Sequence, residues 1–134
     1  MQDMNQIHVI QESAMMKSLY KISKDWDTVE YWLSWADSNE FLFRIFNNNT
    51  LLGFSVARPV KNLEETKNYY YYEEDGDTIC VDIACSTIYN GTKKLWKEIA
   101  GKFNNFKYVA FRRNGGKMKT YNFTRFTELM KVGA

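Results

Sequence analysis

Proline occurs once in the 134-residue chain and glycine seven times, which excludes collagen-like, proline-rich and Gly/Ser-linker architectures. Histidine occurs once and cysteine twice. His8, Cys80 and Cys85 fall one ligand short of a closed zinc site, and two cysteines make no disulfide framework. No metal is expected, and this sparing use of thiols fits a reduced, cytoplasmic compartment. The longest apolar runs are LLGF, FLF and VAF, far below the roughly 20 residues that span a bilayer. The opening MQDMNQIHVIQESAMM has no basic stretch leading into an apolar one, so no secretory signal is expected. What is present is ordinary globular material. The chain is 45% apolar and 25% charged, enough to build one domain over residues 1–134 and not two.

The net charge of +2 hides a strong asymmetry. Residues 91–134 carry eleven Lys and Arg against Glu98 and Glu128, a balance of +9, while residues 1–90 carry seven bases against fourteen acids, a balance of −7. Such segregation points to an anionic ligand or an acidic partner on the C-terminal part, unless folding brings the two halves together to neutralise each other.

Periodicity gives an alternating order of elements. Gln6–Gln11 reads as a short strand, with Ile7 and Val9 on one face and His8 and Ile10 on the other. Ser13 is placed to cap a helix over Ala14–Ile22, and Asp27 a second over Thr28–Ala36, where Glu30 takes the capping-box position. Phe41–Phe46 and Leu51–Val60 form a hairpin about Asn47-Asn48-Asn49. Gly53 marks a bulge or a close approach there, and Pro59 the strand's end. The four tyrosines Tyr69–Tyr72 are expected to pack partly on the core and partly at an edge.

Thr78–Cys85 is the clearest strand. Ile79, Val81, Ile83 and Cys85 are expected on one face and Thr78, Cys80, Asp82 and Ala84 on the other. Only Asp82 interrupts an otherwise apolar or small pattern, which suits a central strand covered on both sides. A helix over Thr92–Phe103, a strand over Phe106–Arg113, an Asn114-Gly115-Gly116 turn, a return strand over Met118–Phe123 and a last helical turn over Thr124–Met130 complete the chain. The sum is an α+β domain. Its unit at 78–113 is a right-handed crossover holding two strands parallel or splayed.

The order QIHVIQ, two helices, FLFRIF…LLGFSVARPV, TICVDIAC, then GTKKLWKEIAGKF followed by FKYVAFRR resembles the GNAT acyltransferase fold. The resemblance implies a mixed, largely antiparallel twisted sheet with two N-terminal helices and one core helix. Within that superfamily GDTICVDIACSTIYNGTKKLWKEIAGKF is similar in layout to the toxin-activating lysine acyltransferases, whose central strand carries an internal Asp used catalytically; Asp82 matches it. The Asn-, Lys- and Tyr-rich composition and compact size also look phage-like. The chain departs from the pattern in three places. The loop Ser86-Thr87-Ile88-Tyr89-Asn90-Gly91-Thr92 lacks the Arg and second Gly of the usual pyrophosphate motif. His8 does not match the catalytic histidine position. A hairpin replaces the helix that ordinarily follows the strand at 106–113.

These residues admit two readings each. Asp82 acts as a base on an amine acceptor, or it serves a structural hydrogen bond or ion pair. By the resemblance, Ile83, Cys85, Ser86, Asn90, Gly91, Thr92 and Lys93 bind acyl-CoA, its pyrophosphate at the start of the core helix; otherwise they form a plain capped loop. Cys85 has no histidine nearby in sequence to activate it and reads as a core thiol. Glu73–Asp77 lacks calcium-loop spacing and reads as a solvated turn. Arg112, Arg113, Lys117 and Lys119, interleaved with Tyr108 and Tyr121, make a basic hairpin that either contacts nucleic acid or another anion, or protects an edge strand. Three functions follow: an acyl-CoA-dependent N-acyltransferase; a non-catalytic GNAT-like binding or structural protein, such as a virion component or host-factor inhibitor; and a nucleic-acid-binding domain.

Overall fold

Five strands form one sheet whose spatial order repeats the chain order: β1 (Leu42–Asn47), β2 (Thr50–Val60), β3 (Thr78–Ser86), β4 (Tyr108–Arg112) and β5 (Met118–Asn122). All neighbours run antiparallel except β3 and β4, which are parallel and joined through α3 (Gly91–Lys102). Two helices, α1 (Gln2–Glu12) and α2 (Trp26–Ser38), precede the sheet, and α4 (Phe123–Leu129) follows it. This computed structural model describes residues 2–112 and 116–131; Arg113 and the turn residues Asn114 and Gly115 lie outside them. The α+β class expected from the sequence is observed.

The N-terminal part corrects three expectations. Gln6–Gln11 is not a strand but the second half of α1. Ile7 and Ile10, three apart, are both buried, at 2% and 0% exposed. Over six residues, that spacing serves a helix as well as the expected alternation serves a strand. The helix expected over Ala14–Ile22 is only a 3-10 turn at Met16–Lys21. Ser13 donates to the Ile10 carbonyl (2.8 Å) and accepts from the Met15 N–H (3.2 Å), so it closes α1 instead of opening a new α-helix. The cap of α2 is Asp25, not Asp27: its carboxylate accepts from the Thr28 N–H (3.2 Å) and hydroxyl (2.6 Å).

The hairpin forms as expected, with Asn48 at φ 55° in its turn. A register shift between Ile45 and Phe46 sets Gly53 opposite Ile45. A side chain at Gly53 would meet the Cys85 carbonyl at 3.0 Å, so the glycine permits a close approach of backbones. Tyr69–Tyr72 form no strand. Their segment crosses α2, and Tyr69, Tyr70 and Tyr72 pack edge-on or tilted against Trp32, Trp35 and Phe41 at centroid distances of 5.0–6.0 Å. The Trp32 indole N–H donates to the Tyr69 carbonyl (3.2 Å).

The decisive irregularity lies in β3. Val56 pairs with Ile83 and Ala57 with Val81, so Asp82 is an extra residue, a β-bulge. Residues opposite each other in a sheet share a face. Ile79 and Val81 therefore face the opposite side from Ile83 and Cys85, which corrects the single-face alternation expected for 79–85. The first pair looks toward the α3 side and the second toward the N-terminal helices.

Candidate functional site

Strands β3 and β4 pair over three positions only, Thr78↔Tyr108, Ile79↔Val109 and Cys80↔Ala110. Beyond them β3 stays with β2 and β4 with β5, and the sheet splays open. A cleft of about 340 Å³ fills the gap. One wall is β3 from Val81 to Ala84, another the inner face of α3 (Thr92, Leu95, Trp96, Ile99), and the far side Phe111, Arg112, Phe126 and Met130; Lys21 reaches it from the 3-10 turn. The aromatic wall is fixed by packing. Trp96 lies 4.9 Å from Phe126 at 88°, and its indole N–H donates to the Thr127 hydroxyl (3.0 Å).

The bulge also decides which backbone groups look into this cleft. Thr87 N–H donates to Leu52 O (2.9 Å), which makes 52/87 a hydrogen-bonded pair. By strand alternation Cys85 and Ile83 also turn their main-chain groups toward β2, and Ala84 turns its N–H and C=O to the open side. Ala84 is exposed and lines the cleft. The open edge of β3 thus offers an unpaired donor and acceptor beside an apolar pocket.

Asp82 lines the same cleft but is not free. Its side chain is 2% exposed, and both oxygens accept from Arg58: Oδ2 from Nε and Oδ1 from Nη2, each at 2.9 Å. Arg58 spends its other donors on the carbonyls of Thr66 (2.9 Å), Asn68 (2.7 Å) and Tyr71 (2.6 Å). All five N–H groups are satisfied, and the guanidinium ties the 62–72 segment to the bulge. Burial pushes the Asp82 carboxyl up to about 6, against the pull of Arg58. Arg58 escaped the sequence reading. Its only signal was a lone arginine in the apolar strand LLGFSVARPV, facing a lone acid in TICVDIAC.

The other expected residues divide. Thr92 and Arg112 line the cleft with Asp82 and Ile83, but Ile83 directs its carbonyl to the Ser55 hydroxyl (2.7 Å). Cys85 lies half-buried toward the N-terminal helices, and burial pushes its thiol up to about 11. Neither Cys85 nor Cys80, pushed up to about 12 by burial, is set up as a nucleophile. Ser86 is a structural hinge: its hydroxyl donates to Leu52 O (3.0 Å) and accepts from the Ile88 N–H (3.1 Å). Asn90 adopts φ 65° at the start of α3 with no side-chain cap. Gly91 sits so close to Ser86 that a Cβ would fall 1.7 Å from its hydroxyl. Gly91 N–H bonds Ile88 O and Lys94 N–H bonds Asn90 O; among the described residues, the Thr92 and Lys93 N–H groups have no protein acceptor. Lys117 and Lys119 are exposed and belong to the β4–β5 hairpin, away from the cleft lining. His8 is more than half exposed and lies 3.9 Å from Glu30.

Compared with protein families, curated proteins and solved structures, the chain matches none.

Proposed function

We propose that the protein is an acyl-CoA-dependent N-acyltransferase of GNAT-like architecture. The observation that carries this reading is the bulged, splayed strand: an extended, amide-bearing chain such as pantetheine can continue the sheet at Ala84 where β4 has turned away. Three neighbours support it. The start of α3 presents free Thr92 and Lys93 N–H groups to a pyrophosphate. Lys21 and Arg112 add positive charge at the cleft. The apolar lining from Leu95 to Met130 suits an acyl group.

In this reading the Ala84 N–H polarises the thioester carbonyl. The acceptor amine attacks the carbonyl carbon, the C–S bond breaks, and the amine's proton passes to the departing thiolate. Asp82 is a positioning residue, because Arg58 occupies both of its oxygens; it holds the bulge that aims Ala84. The test is turnover: acetyl-CoA and a primary amine are incubated with the protein, and released thiol is followed with a disulfide dye. The two native cysteines are buried or half-buried and high in pKa, so they add little background. Protein-dependent thiol release with acylated product supports the proposal.

One observation favours a second reading. Among the described residues lining the cleft, the ionisable ones are Lys21, Asp82 and Arg112, and none is a free base. Acyl-CoA that binds without turnover would make the protein a non-catalytic binding module; absence of binding would remove both readings.

A further inference from the structure

The cleft holds an amine of its own. Among the described residues lining it, Lys21 is the sole lysine; the other cation, Arg112, is a guanidinium that stays protonated and is no nucleophile. Lys21 ends the 3-10 turn Met16–Lys21, whose backbone is firmly placed. Leu19 is fully buried, and its carbonyl accepts from the N–H groups of Ile22 (2.9 Å) and Ser23 (3.1 Å). From that anchor the exposed Lys21 side chain reaches the splay beside Asp82, Ile83 and Ala84. It comes from the face of the sheet opposite α3. Cys85 looks to that face; burial pushes its thiol up, and the Ser18 hydroxyl and the Lys21 ammonium pull the other way. Lys21 forms an ion pair with none of the described carboxylates.

These positions set a donor and an amine on opposite sides of one gap. With acyl-CoA seated at the start of α3 and along the edge at Ala84, the donor takes the α3 face. An acceptor then comes through the gap from the other face, where Lys21 already stands. We propose that Lys21 is itself an acyl acceptor, and that the protein transfers the acyl group from CoA to this lysine within one chain when no other amine is present. The inference rests on the acyl-CoA reading of the cleft and names an acceptor for it. The Lys21 ammonium first gives a proton to solvent. Its Nζ then attacks the thioester carbonyl carbon, the C–N bond forms as the C–S bond breaks, and a second proton from the nitrogen goes to the departing thiolate. The products are an amide on Lys21 and free CoA thiol. Holding both reactants in one cleft makes the step effectively unimolecular. Each chain reacts once, and the neutral amide removes one of the two cations, Lys21 and Arg112, described at the cleft.

The test is peptide mass spectrometry on the native chain incubated with saturating acetyl-CoA alone, at two protein concentrations, with acetyl-CoA binding measured by calorimetry on the same sample. Lys17 and Lys24, exposed lysines of the same segment that do not line the cleft, report uncatalysed acylation. The expected result is acetylation of Lys21 at least about ten-fold faster than of either, at a rate independent of protein concentration and suppressed by excess CoA. N-hydroxysuccinimidyl acetate, which needs no CoA site, should show no such preference for Lys21. Binding of acetyl-CoA with Lys21 labelled no faster than Lys17 and Lys24 overturns the inference and leaves the acyl-CoA site standing. An equal preference with N-hydroxysuccinimidyl acetate overturns it too, because Lys21 would then be only the most reactive amine. So does a rate constant that rises with protein concentration, which assigns the transfer to neighbouring molecules. No binding of acetyl-CoA removes the inference together with the reading it rests on.

Discussion

Arg58 and Asp82 meet across β2 and β3 through two 2.9 Å hydrogen bonds, with side chains 0% and 2% exposed. The pair does more than neutralise a buried acid. It fixes the residue at which β3 bulges, and so the strand edge at Ala84. Through the Thr66, Asn68 and Tyr71 carbonyls it also anchors the tyrosine segment that covers α2.

Removing the cation should therefore be costly. Arg58→Met leaves a buried carboxylate and the carbonyls of Thr66, Asn68 and Tyr71 without their donor, and the expected loss is about 3–5 kcal/mol in urea unfolding. Arg58→Lys should recover little, because a single ammonium cannot reproduce the fork. A loss under about 1 kcal/mol for the Met variant would contradict the clamp.

The pH dependence has a definite sign. Burial holds the Asp82 carboxyl up to about 6 in the folded state, whereas an unfolded aspartate titrates near 4 (about 3.9). Folding thus takes up a proton between those values. This group's contribution to stability is greatest below about pH 4 and is lost as pH rises through about 6. Unfolding of the wild type and of Asp82→Asn, compared from about pH 4 to 7, should show the wild type losing ground by up to about 3 kcal/mol. A difference that is flat, or grows with pH, would overturn this.

Much of the sheet was legible in the sequence. The hairpin at 42–60, the strand at 78–86 and the helix at 91–102 are apolar-rich segments of clear period bounded by turn residues. The first element was not, because Ile7, Val9 and Ile10 fit a strand and a helix equally over so short a stretch. The bulge was invisible for a different reason. TICVDIAC alternates cleanly as text, and only its register against β2 shows that the alternation breaks at Asp82. With the bulge hidden, the opposite orientations of Val81 and Ile83 were hidden too, and with them the exposed edge at Ala84. The partner of Asp82 was unreadable because 24 residues separate it from Arg58.

The loop before α3 has little room. Gly91→Ala places a Cβ 1.7 Å from the Ser86 hydroxyl and 2.4 Å from its Cβ, so a loss of about 1–3 kcal/mol is expected. Ser86→Gly removes both contacting atoms. The double variant should be more stable than the sum of the single losses implies, with a coupling of at least about 1 kcal/mol. Additive losses would mean that the two residues do not touch.

The thiols give a simple check on the exclusion of cysteine chemistry. In the native protein at pH 8, neither Cys80 nor Cys85 should react at the rate of an unhindered thiol, and both should react after unfolding in urea. Fast native labelling of Cys85 would return it to the list of candidate nucleophiles.

The most direct test of the central claim, that the open edge of β3 binds an acyl-CoA, is a calorimetric titration of the wild type and of Ala84→Pro with acetyl-CoA. Proline removes the Ala84 N–H aimed into the cleft and no ladder bond to β2. The expected result is micromolar binding by the wild type and a loss of about ten-fold or more in the variant, with its far-ultraviolet circular dichroism unchanged. No wild-type binding at millimolar ligand, or equal binding by both proteins, would contradict the claim.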